Sequence, residues 1–390
     1  MANNNENKIL NVPNLRFPEF CGEWETIKVS ELLDFYSTNS LSWEQLDYSN
    51  GKIKNLHYGL IHKGVPTMVD VACDSLPYIK EESMLKSFTL FKEGDVAFAD
   101  ASEDTNDVAK AIEVVNCDNQ QIVSGLHTIH GRDNSNRTVI GYKGYAFASD
   151  SFHKQIRRIA QGTKVFSISV RNFDEAYIGI PSKEEQTQIA KLLITIDKRI
   201  ATQNKIIEKL QSLIKGLAAQ LTQSGTPNIR LCDCLECHSS TLLENCVSVT
   251  GSYPVYGATG LIGYTNNYAY NGESILIVKD GSGVGSLSYV NDHFSVIGTL
   301  NYLTAKENYS ILYLYYALMA FNFTPYITGM AIPHIYFKDY GKAKLFYPSI
   351  EKRIRIASLL HNIEQKLVVE QNLVISLSTQ KSYLLRMLFI

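Results

Sequence analysis

Two segments of the chain carry apolar residues at the spacing of a heptad repeat, in which positions a and d face a partner helix. In the first segment, position a holds Leu193, Ile200, Ile207, Ile214 and Leu221, and position d holds Ile189, Ile196, Gln203, Leu210 and Leu217. In the second, position a holds Leu360, Leu367, Val374, Lys381 and Leu388, and position d holds Ile356, Ile363, Glu370, Leu377 and Leu384. The pattern predicts two long helices that pack on each other. The heptad pattern alone does not show whether the two helices pack parallel or antiparallel.

One polar residue interrupts each apolar seam at the same d position. Gln203 in the first helix and Glu370 in the second occupy equivalent layers near the middle. A buried polar group would cost stability but fix the register of the helices, whereas a group at the solvated edge of the seam would do neither. The sequence leaves both interpretations open.

The two helices belong to a longer internal repeat. Residues 161–222 align without gaps with residues 328–389, so that Pro181-Ser182 corresponds to Pro348-Ser349. Acidic residues follow each Pro-Ser pair, as a helix N-terminus prefers. A repeat of this length indicates a duplicated domain rather than a solenoid of short units.

Shorter apolar stretches separated by polar loops precede each helix and predict mixed α/β domains. The predicted strands are Asp95–Phe98, Ile112–Val115 and Val165–Ile168 in the first domain, and Tyr253–Tyr256, Ser274–Val278, Leu287–Val290 and Leu300–Leu303 in the second, which also has a predicted helix over Tyr309–Phe323. We therefore predict an α+β fold with domains at 1–180 and 223–347 and helices at 181–222 and 348–390.

Length and composition exclude some broad classes of protein. With 390 residues and 45% hydrophobic residues, the chain is too long for one ordinary core and too apolar for a disordered protein. The formal net charge of −2 gives no overall attraction to nucleic acid. The opening MANNNENKIL lacks the pattern of a secretory signal, and the run Ile311–Phe323 is too short to span a bilayer, so we expect a cytoplasmic protein without a membrane segment.

Motifs for catalysis are weak. The loop Asp280–Ser286 is rich in glycine but lacks the Lys-Ser/Thr of a phosphate-binding loop, and the chain has no Asn/Asp-Pro-Pro-Tyr/Phe motif of amino-group DNA methyltransferases. A hairpin, or close approach of the backbone to a ligand, accounts for these glycines. Cys232, Cys234, Cys237 and His238 have a spacing compatible with haem or zinc, but no second ligand pair follows and a strand role is favoured. We predict no catalytic residue and no metal.

Basic residues with nearby hydroxyl and aromatic groups are the better candidates for a site. Cationic side chains can contact phosphates, while Ser, Tyr and His can reach base edges. The candidates for DNA binding are Arg132, Lys154, Arg157, Arg158, Lys164, Lys279, Ser282, His334, Tyr336 and Lys338.

Four stretches connect this organisation with a known family. They are Val12–Phe20 with Gly22-Glu-Trp24, the helix start Ile180–Ala190, Tyr253-Pro-Val-Tyr-Gly257 with Gly260–Tyr264, and the helix after Pro348. With them, the chain resembles the specificity subunit of a type I restriction-modification enzyme over essentially its whole length. One departure is Lys352-Arg353, where the family pattern, kept at Glu185-Gln186 in the first copy, has Glu-Gln.

The resemblance implies two target-recognition domains that each read half of a bipartite DNA target, with an antiparallel pair of helices between them. It also implies that two methyltransferase subunits and a restriction and translocase subunit dock on this chain. S-adenosylmethionine, ATP and magnesium would then belong to those partners, and this chain would bind no cofactor. A helix of 40 residues measures about 60 Å, enough to cover the roughly 34 Å of one DNA turn between half-sites.

Two other functions remain as alternatives from the sequence. One is a self-sufficient DNA adenine methyltransferase with fused recognition domains, against which the missing Pro-Pro motif weighs. The other is a coiled-coil interaction protein whose 23 tyrosines form sugar-binding surfaces.

Overall fold

The computed structural model describes residues 11–85 and 87–390. The chain forms two compact units. The first unit comprises the residues up to Thr202 together with Val374–Ile390, and the second comprises Gln203–Leu373. Each long helix therefore contributes one part to the first unit and one part to the second.

The first unit is built from short strands and helices followed by the start of a long helix. Its strands are β1 (Glu25–Lys28), β2 (Asp34–Tyr36), β3 (Leu46–Asp47), β4 (Ile53–Leu56), β5 (Met68–Asp70), β6 (Tyr78–Ile79), β7 (Val96–Ala99), β8 (Ala101–Ser102), β9 (Ala111–Asn116), β10 (Gln121–Ser124), β11 (Thr128–Arg132), β12 (Phe166–Ser167) and β13 (Tyr177–Ile180). Its helices are α1 (Val29–Leu32), α2 (Tyr58–His62), α3 (Tyr142–Phe147), α4 (Asp150–Ile159) and the beginning of α5 (Lys183–Thr222), with 3-10 turns at Trp43–Gln45, Glu82–Met84 and Val170–Asp174.

The main sheet of the first unit has the order β2-β11-β7-β9-β5, and a second sheet has the order β10-β4-β6-β3. Its core is rich in aromatic residues. Phe98 on the central strand β7 packs against Phe147 and Phe173, with ring centroids 4.9 and 4.8 Å apart. The strands β7 and β9 lie where the apolar stretches at Asp95–Phe98 and Ile112–Val115 predict them.

The second unit is built on one larger sheet. Its strands are β14 (Ile229–Arg230), β15 (Leu235–Ser239), β16 (Tyr253–Gly257), β17 (Gly260–Thr265), β18 (Tyr270–Val278), β19 (Leu287–Val296), β20 (Leu300–Ala305) and β21 (Lys344–Leu345). Its helices are α6 (Leu231–Cys234), α7 (Ile311–Met319), α8 (Phe337–Tyr340) and most of α9 (Ile350–Met387), with 3-10 turns at Glu244–Cys246 and Thr324–Tyr326. The sheet order is β15-β20-β18-β19-β16-β17, and α7 shares a core with β18.

The helix predicted over Tyr309–Phe323 is shorter in the structure. It begins after Ser310, whose side chain accepts a hydrogen bond from the Tyr313 amide at 3.3 Å. It ends at Met319, and a 3-10 turn that contains Pro325 follows. The apolar pattern continues beyond the helix because Phe321 and Phe323 pack on the same core without being helical.

The two long helices confirm the main prediction from the heptads. Helix α5 has 40 residues and α9 has 38. Their seam positions Ile189, Leu193, Ile196, Ile200, Leu210, Ile356, Leu360, Ile363 and Leu377 are all buried or half-buried. With the two sheet-containing domains, these helices give the mixed α+β architecture expected from the sequence.

Within each unit the helix segments run in opposite directions. In the first unit, Ile189 and Leu193 near the start of α5 share a core with Leu384 and Leu388 near the end of α9. In the second unit, Ala218 near the end of α5 shares a core with Leu360 near the start of α9. The pairing is therefore antiparallel in both units, which the heptads alone did not settle.

The polar seam residues both lie in the second unit and are shielded from solvent. Glu370 is 6% exposed, and its carboxylate forms an ion pair with Lys366 one turn earlier in α9. Gln203 is half-buried, and its Oε1 atom has no hydrogen-bond partner among the residues that the structure describes. A carbonyl oxygen buried without a partner costs about 1–3 kcal/mol.

None of the described helices combines the length and apolar character needed to cross a bilayer.

Candidate nucleic-acid interface

The candidate residues of the second unit lie on segments that are held together by backbone hydrogen bonds. The amide of Ile335 donates to the carbonyl of Lys279 at 2.9 Å, and the amide of Gly281 donates to the carbonyl of Pro333 at 2.9 Å. These bonds place the turn that contains Ser282 beside the segment that contains His334. The main chain therefore brings three of the predicted residues into one neighbourhood.

Aromatic contacts extend this neighbourhood to Tyr336 and Lys338. The His334 and Tyr336 rings meet edge to face with centroids 5.0 Å apart, and the Lys338 Nζ atom lies 5.0 Å from the Tyr336 centroid. Tyr336 and Lys338 are exposed, as is Ser282, whereas Lys279 and His334 are half-buried. A surface of this kind offers a cation for a phosphate next to rings and a hydroxyl that can approach bases.

The glycine-rich turn uses its own backbone amides and is not a phosphate cradle. The amides of Val284, Gly285 and Ser286 donate to the carbonyls of Gly281, Val278 and Gly283 at 2.8–3.1 Å. Gly285 has a φ of +85°, and a Cβ atom there would lie 3.3 Å from the Cβ of Phe323. The glycines are thus explained by a tight turn between β18 and β19 and by close packing.

In the first unit, three candidate cations lie on one exposed face of α4. Its opposite face is buried through Phe152 and Ile156, which leaves Lys154, Arg157 and Arg158 in solvent. Lys154 pairs with Asp150 at 2.7 Å. Arg158 forms no hydrogen bond or ion pair with any part of the chain that the structure describes. It is therefore the cation of this helix most available to a phosphate.

An acidic loop borders this helix and limits its positive field. Arg157 donates to the side-chain oxygen of Asn106 at 3.2 Å and lies 3.8 Å from Asp150. The loop around Asn106 contains Glu103, Asp104 and Asp107. Burial lowers the pKa of the adjacent His153, so this histidine adds no positive charge at neutral pH. The net attraction for phosphate at α4 is weaker than its row of basic residues indicates.

Arg132 is placed differently from the other candidates. Its guanidinium donates from Nε and Nη2 to both carboxylate oxygens of Asp95 at 2.8 and 2.6 Å, and His130 contacts the same carboxylate at 2.8 Å. Burial alone would raise the pKa of Asp95, but hydrogen bonds from Arg132 and His130 outweigh it and hold the pKa below its usual value. A phosphate at Arg132 would have to compete with this ion pair.

The cysteine cluster supplies strand and helix positions instead of convergent ligands. The Cys234 thiol is buried and donates to the carbonyls of Arg230 and Leu231. His238 faces Thr304, with 2.9 Å between Nε2 and the hydroxyl oxygen. Across residues 11–85 and 87–390, no group of three or more His, Cys, Asp or Glu side chains is arranged to hold a metal ion.

One structural site was missed from the sequence, although its residues lie in the stretches that carry the family resemblance. Arg16 forms a two-pronged contact with Glu185 at the start of α5, with both nitrogen–oxygen distances 2.7 Å. The neighbouring Gln186 accepts from the Val139 amide at 2.9 Å and donates to the Pro181 carbonyl at 2.9 Å. The Glu-Gln pair therefore anchors the first helix to its domain. The one sequence signal for the contact is that Arg16 and Glu185 both lie in stretches that carry the family resemblance.

Comparisons with known proteins agree on one family. A model described as the type I restriction modification DNA specificity domain matches residues 22–212 and 229–377. The chain is 28% identical to the type I restriction enzyme EcoprrI specificity subunit of Escherichia coli over 112 residues, which make up 29% of this chain and 28% of that relative. The aligned part is thus well under two thirds of the relative.

Two solved structures share the fold. A crystal structure of the S subunit of a type I restriction-modification system from M. genitalium matches with a TM-score of 0.66 and 17% identity, over 97% of this chain and 99% of that chain. A second structure, from work on complex assembly and conformational transition of the type I R-M system, matches with a TM-score of 0.54 and 14% identity, over 93% of this chain and 96% of that chain. At these identities the likeness concerns architecture.

Proposed function

Because the chain belongs to the family of type I restriction-modification DNA specificity proteins, we propose that it selects a bipartite sequence on double-stranded DNA for partner subunits that carry out the chemistry. Each of its two domains would read one half of the target. The observation that carries this proposal is the duplication, because each of the two matched stretches contains a sheet domain followed by the seam of a long helix.

The surfaces described above support contact with DNA. In the second unit, Lys279, Ser282, His334, Tyr336 and Lys338 form one neighbourhood of cations, rings and a hydroxyl group. In the first unit, Arg158 and Lys164 are exposed cations. Phosphate contacts of this kind position a protein on the duplex, and contacts with base edges select the sequence.

The partners follow from the same proposal. Methyltransferase subunits and a restriction subunit would dock on this chain, and S-adenosylmethionine, ATP and magnesium would be bound by them. Large apolar side chains along α9 are exposed, such as Ile354 and Val369, and a partner subunit docked on this helix would cover them. The chain itself would act in the cytoplasm, beside the DNA, without catalysing methyl transfer.

The test is to express the chain with a type I methyltransferase subunit from the same genome and to map methylated bases across the genomic DNA. The proposal predicts methylation at a split motif with a fixed unread gap. Methylation without such a motif, or the absence of any complex between the two proteins, would contradict it. The chain expressed alone is the control, because methylation by the chain alone would instead indicate a self-sufficient methyltransferase.

A further inference from the structure

The two domains contain the same short loop at the same place in the internal repeat. We refer to residues 161–167 as the first repeat loop and to residues 328–334 as the second repeat loop. Each is closed by a pair of hydrogen bonds between its first and last residues, Gln161 with Ser167 at 2.8 and 3.0 Å, and Thr328 with His334 at 2.8 and 2.9 Å. The loops therefore share their frame although their sequences differ.

A glycine at the second position makes this frame possible in both copies. Gly162 has a φ of +133° and Gly329 has a φ of +89°. A Cβ atom at either position would collide with a carbonyl oxygen of the same loop, that of Val165 in the first and that of Ile332 in the second. Only glycine fits, so the backbone of the loop is fixed while the residues that follow are free to vary.

Each loop is also attached to its domain by an equivalent bond. The amide of Ile168 donates to the carbonyl of Asp100 at 2.9 Å, just as the amide of Ile335 donates to the carbonyl of Lys279 at 2.9 Å. Asp100 follows the central strand β7, and Lys279 follows the central strand β18. Both loops thus project from the same end of a central strand in their own unit.

The tips of the loops are exposed and chemically different. Thr163, Lys164 and Val165 form the first tip, and Met330, Ala331 and Ile332 form the second. The Met330 side chain is fully exposed, and Ile332 is 65% exposed. Two large apolar groups held in water by a rigid frame have no structural reason within the described part of the chain, which indicates that they contact a partner.

The surroundings of the second loop favour DNA as that partner. Lys279, His334, Tyr336 and Lys338 border it, and the acidic groups nearby are Asp280 and Asp339, both half-buried. The cationic and polar groups around these two apolar side chains differ from the core of a protein interface, which is depleted in charged residues. The two side chains suit contact with a thymine methyl group in the major groove, with cations beside them for the phosphates.

We propose that the repeat loops select bases in the two halves of the target, the second through apolar contact of Met330 and Ile332 with thymine, and the first through Lys164. This inference rests on the proposed function and extends it to named side chains. The shared frame explains how one duplicated domain can acquire two specificities, because only the tip needs to change.

The experiment uses the complex of the full chain with its methyltransferase subunit and a library of duplexes in which each target position is randomised in turn. The double variant Met330→Ala, Ile332→Ala should lose about 5- to 150-fold in discrimination at one or two positions of one half of the target, because a specific base contact contributes about 1–3 kcal/mol. The other half should keep its specificity. Lys164→Ala should lower discrimination in that other half and leave the first half unchanged.

Uracil tests the chemistry of the contact, since it differs from thymine only by the methyl group. At the position affected by the double variant, uracil in place of thymine should weaken methylation by the wild-type complex and leave the variant unchanged. A wild-type complex that ignores the methyl group would overturn the proposed thymine contact.

Val249→Ala is the matched control, because Val249 is an apolar residue of the same unit that is 90% exposed and lies outside the loop. Unchanged specificity in the double variant, equal losses in both halves, or an equal loss in the control would each overturn the inference. A wild-type complex that recognises no split motif would instead contradict the proposed function, and this result is visible before any variant is made.

Discussion

The starts of the two long helices show how one residue replaces another at an equivalent position. Gln186 in α5 donates to the carbonyl of Pro181, and Arg353 in α9 donates to the carbonyl of the equivalent Pro348 at 2.6 Å. Arg353 also lies 4.0 Å from the centroid of the Tyr347 ring. The departure from Glu-Gln in the second copy thus keeps the contact with proline and adds a stacked arginine.

The position equivalent to Glu185 is occupied by Lys352, and its burial and contacts differ between the two copies. Glu185 is 1% exposed and held by Arg16, whereas Lys352 is exposed and donates to the Ser224 hydroxyl at 3.1 Å. A buried carboxylate without its cation is costly, so the first copy depends on a residue that the second does not need.

Arg16→Ala should therefore lower the free energy of unfolding by about 2–4 kcal/mol, since it leaves the Glu185 carboxylate buried without its cation. Thermal and urea unfolding would measure the loss. Arg137→Ala is the matched control, because its ion pair with Glu25 is largely exposed and should contribute at most about 1 kcal/mol. If the double variant Arg16→Ala, Glu185→Ala loses as much stability as the two single variants added together, the two side chains are not coupled.

Asp95 should make stability depend on pH. Its pKa is lowered in the folded protein, so its ionised form stabilises the fold above the unfolded pKa of about 4, and this stability is lost as the pH falls through the folded pKa. Asp95→Asn should lower the melting temperature at pH 7, and the difference from wild type should narrow below about pH 4. Unfolding curves from pH 3 to pH 8 would measure this, and a difference independent of pH would be evidence against the ion pair as its source.

The residues that the sequence could and could not predict differ in how far their partners lie along the chain. The seam residue Leu193 follows from a local period of seven, so its burial was predictable. Arg16 and Glu185 are 169 positions apart, and neither has a pattern that points to the other. Arg132 looked like a free cation because its partner Asp95 precedes it by 37 positions, just before the strand β7.

At the level of elements, the antiparallel pairing bears on the expected role of the helices as a spacer. The start of α5 meets the end of α9 in one unit, and the reverse holds in the other. If the helices set the gap between half-sites, lengthening only one of them would break the seam. A change in spacing therefore requires matched insertions in both.

Inserting four residues into α5 after Gln203, with four at the facing position in α9, adds about 6 Å at 1.5 Å per residue. The unread gap of the target should then grow by one or two base pairs, while both half-sites stay the same. Mapping methylation with the altered complex would give the gap directly. A variant in which the same four residues replace existing ones is the control, and an unchanged gap in the longer variant would rule out the spacer role.

The repeat loops show a limit of sequence analysis at the level of elements. The repeat is visible from residue 161, yet within the two loops only Lys164 and His334 are DNA-binding candidates from the sequence, because a shared backbone conformation leaves no sign in side-chain charge. The alignment of the repeat pairs Gly162 with Gly329, but it does not show that both have a positive φ. The exposure of Met330 could not be predicted, because apolar residues in a sequence are normally assigned to the core.

At the scale of the whole molecule, the proposed function predicts independent domains. Replacing the residues up to Ile180 by the corresponding domain of another specificity subunit should change one half of the target and leave the other half and the gap unchanged. Methylation mapping of the hybrid complex would show this. Changes in both halves would contradict the assignment of one half-site to each domain. The control is an exchange of the loop 161–167 alone, which should alter the same half.

The discontinuous first unit has a consequence for the order in which the protein is made. Leu384, Leu388 and Phe389 complete the core that contains Ile189 and Leu193, but the ribosome adds them roughly 190 residues later. At about 5–20 residues per second, this is a delay on the order of ten to forty seconds. Throughout that interval the face of this core that the end of α9 covers lacks its partner. A newly made chain must therefore keep this face from pairing with the similar helix of another nascent chain, and synthesis speed becomes a determinant of yield.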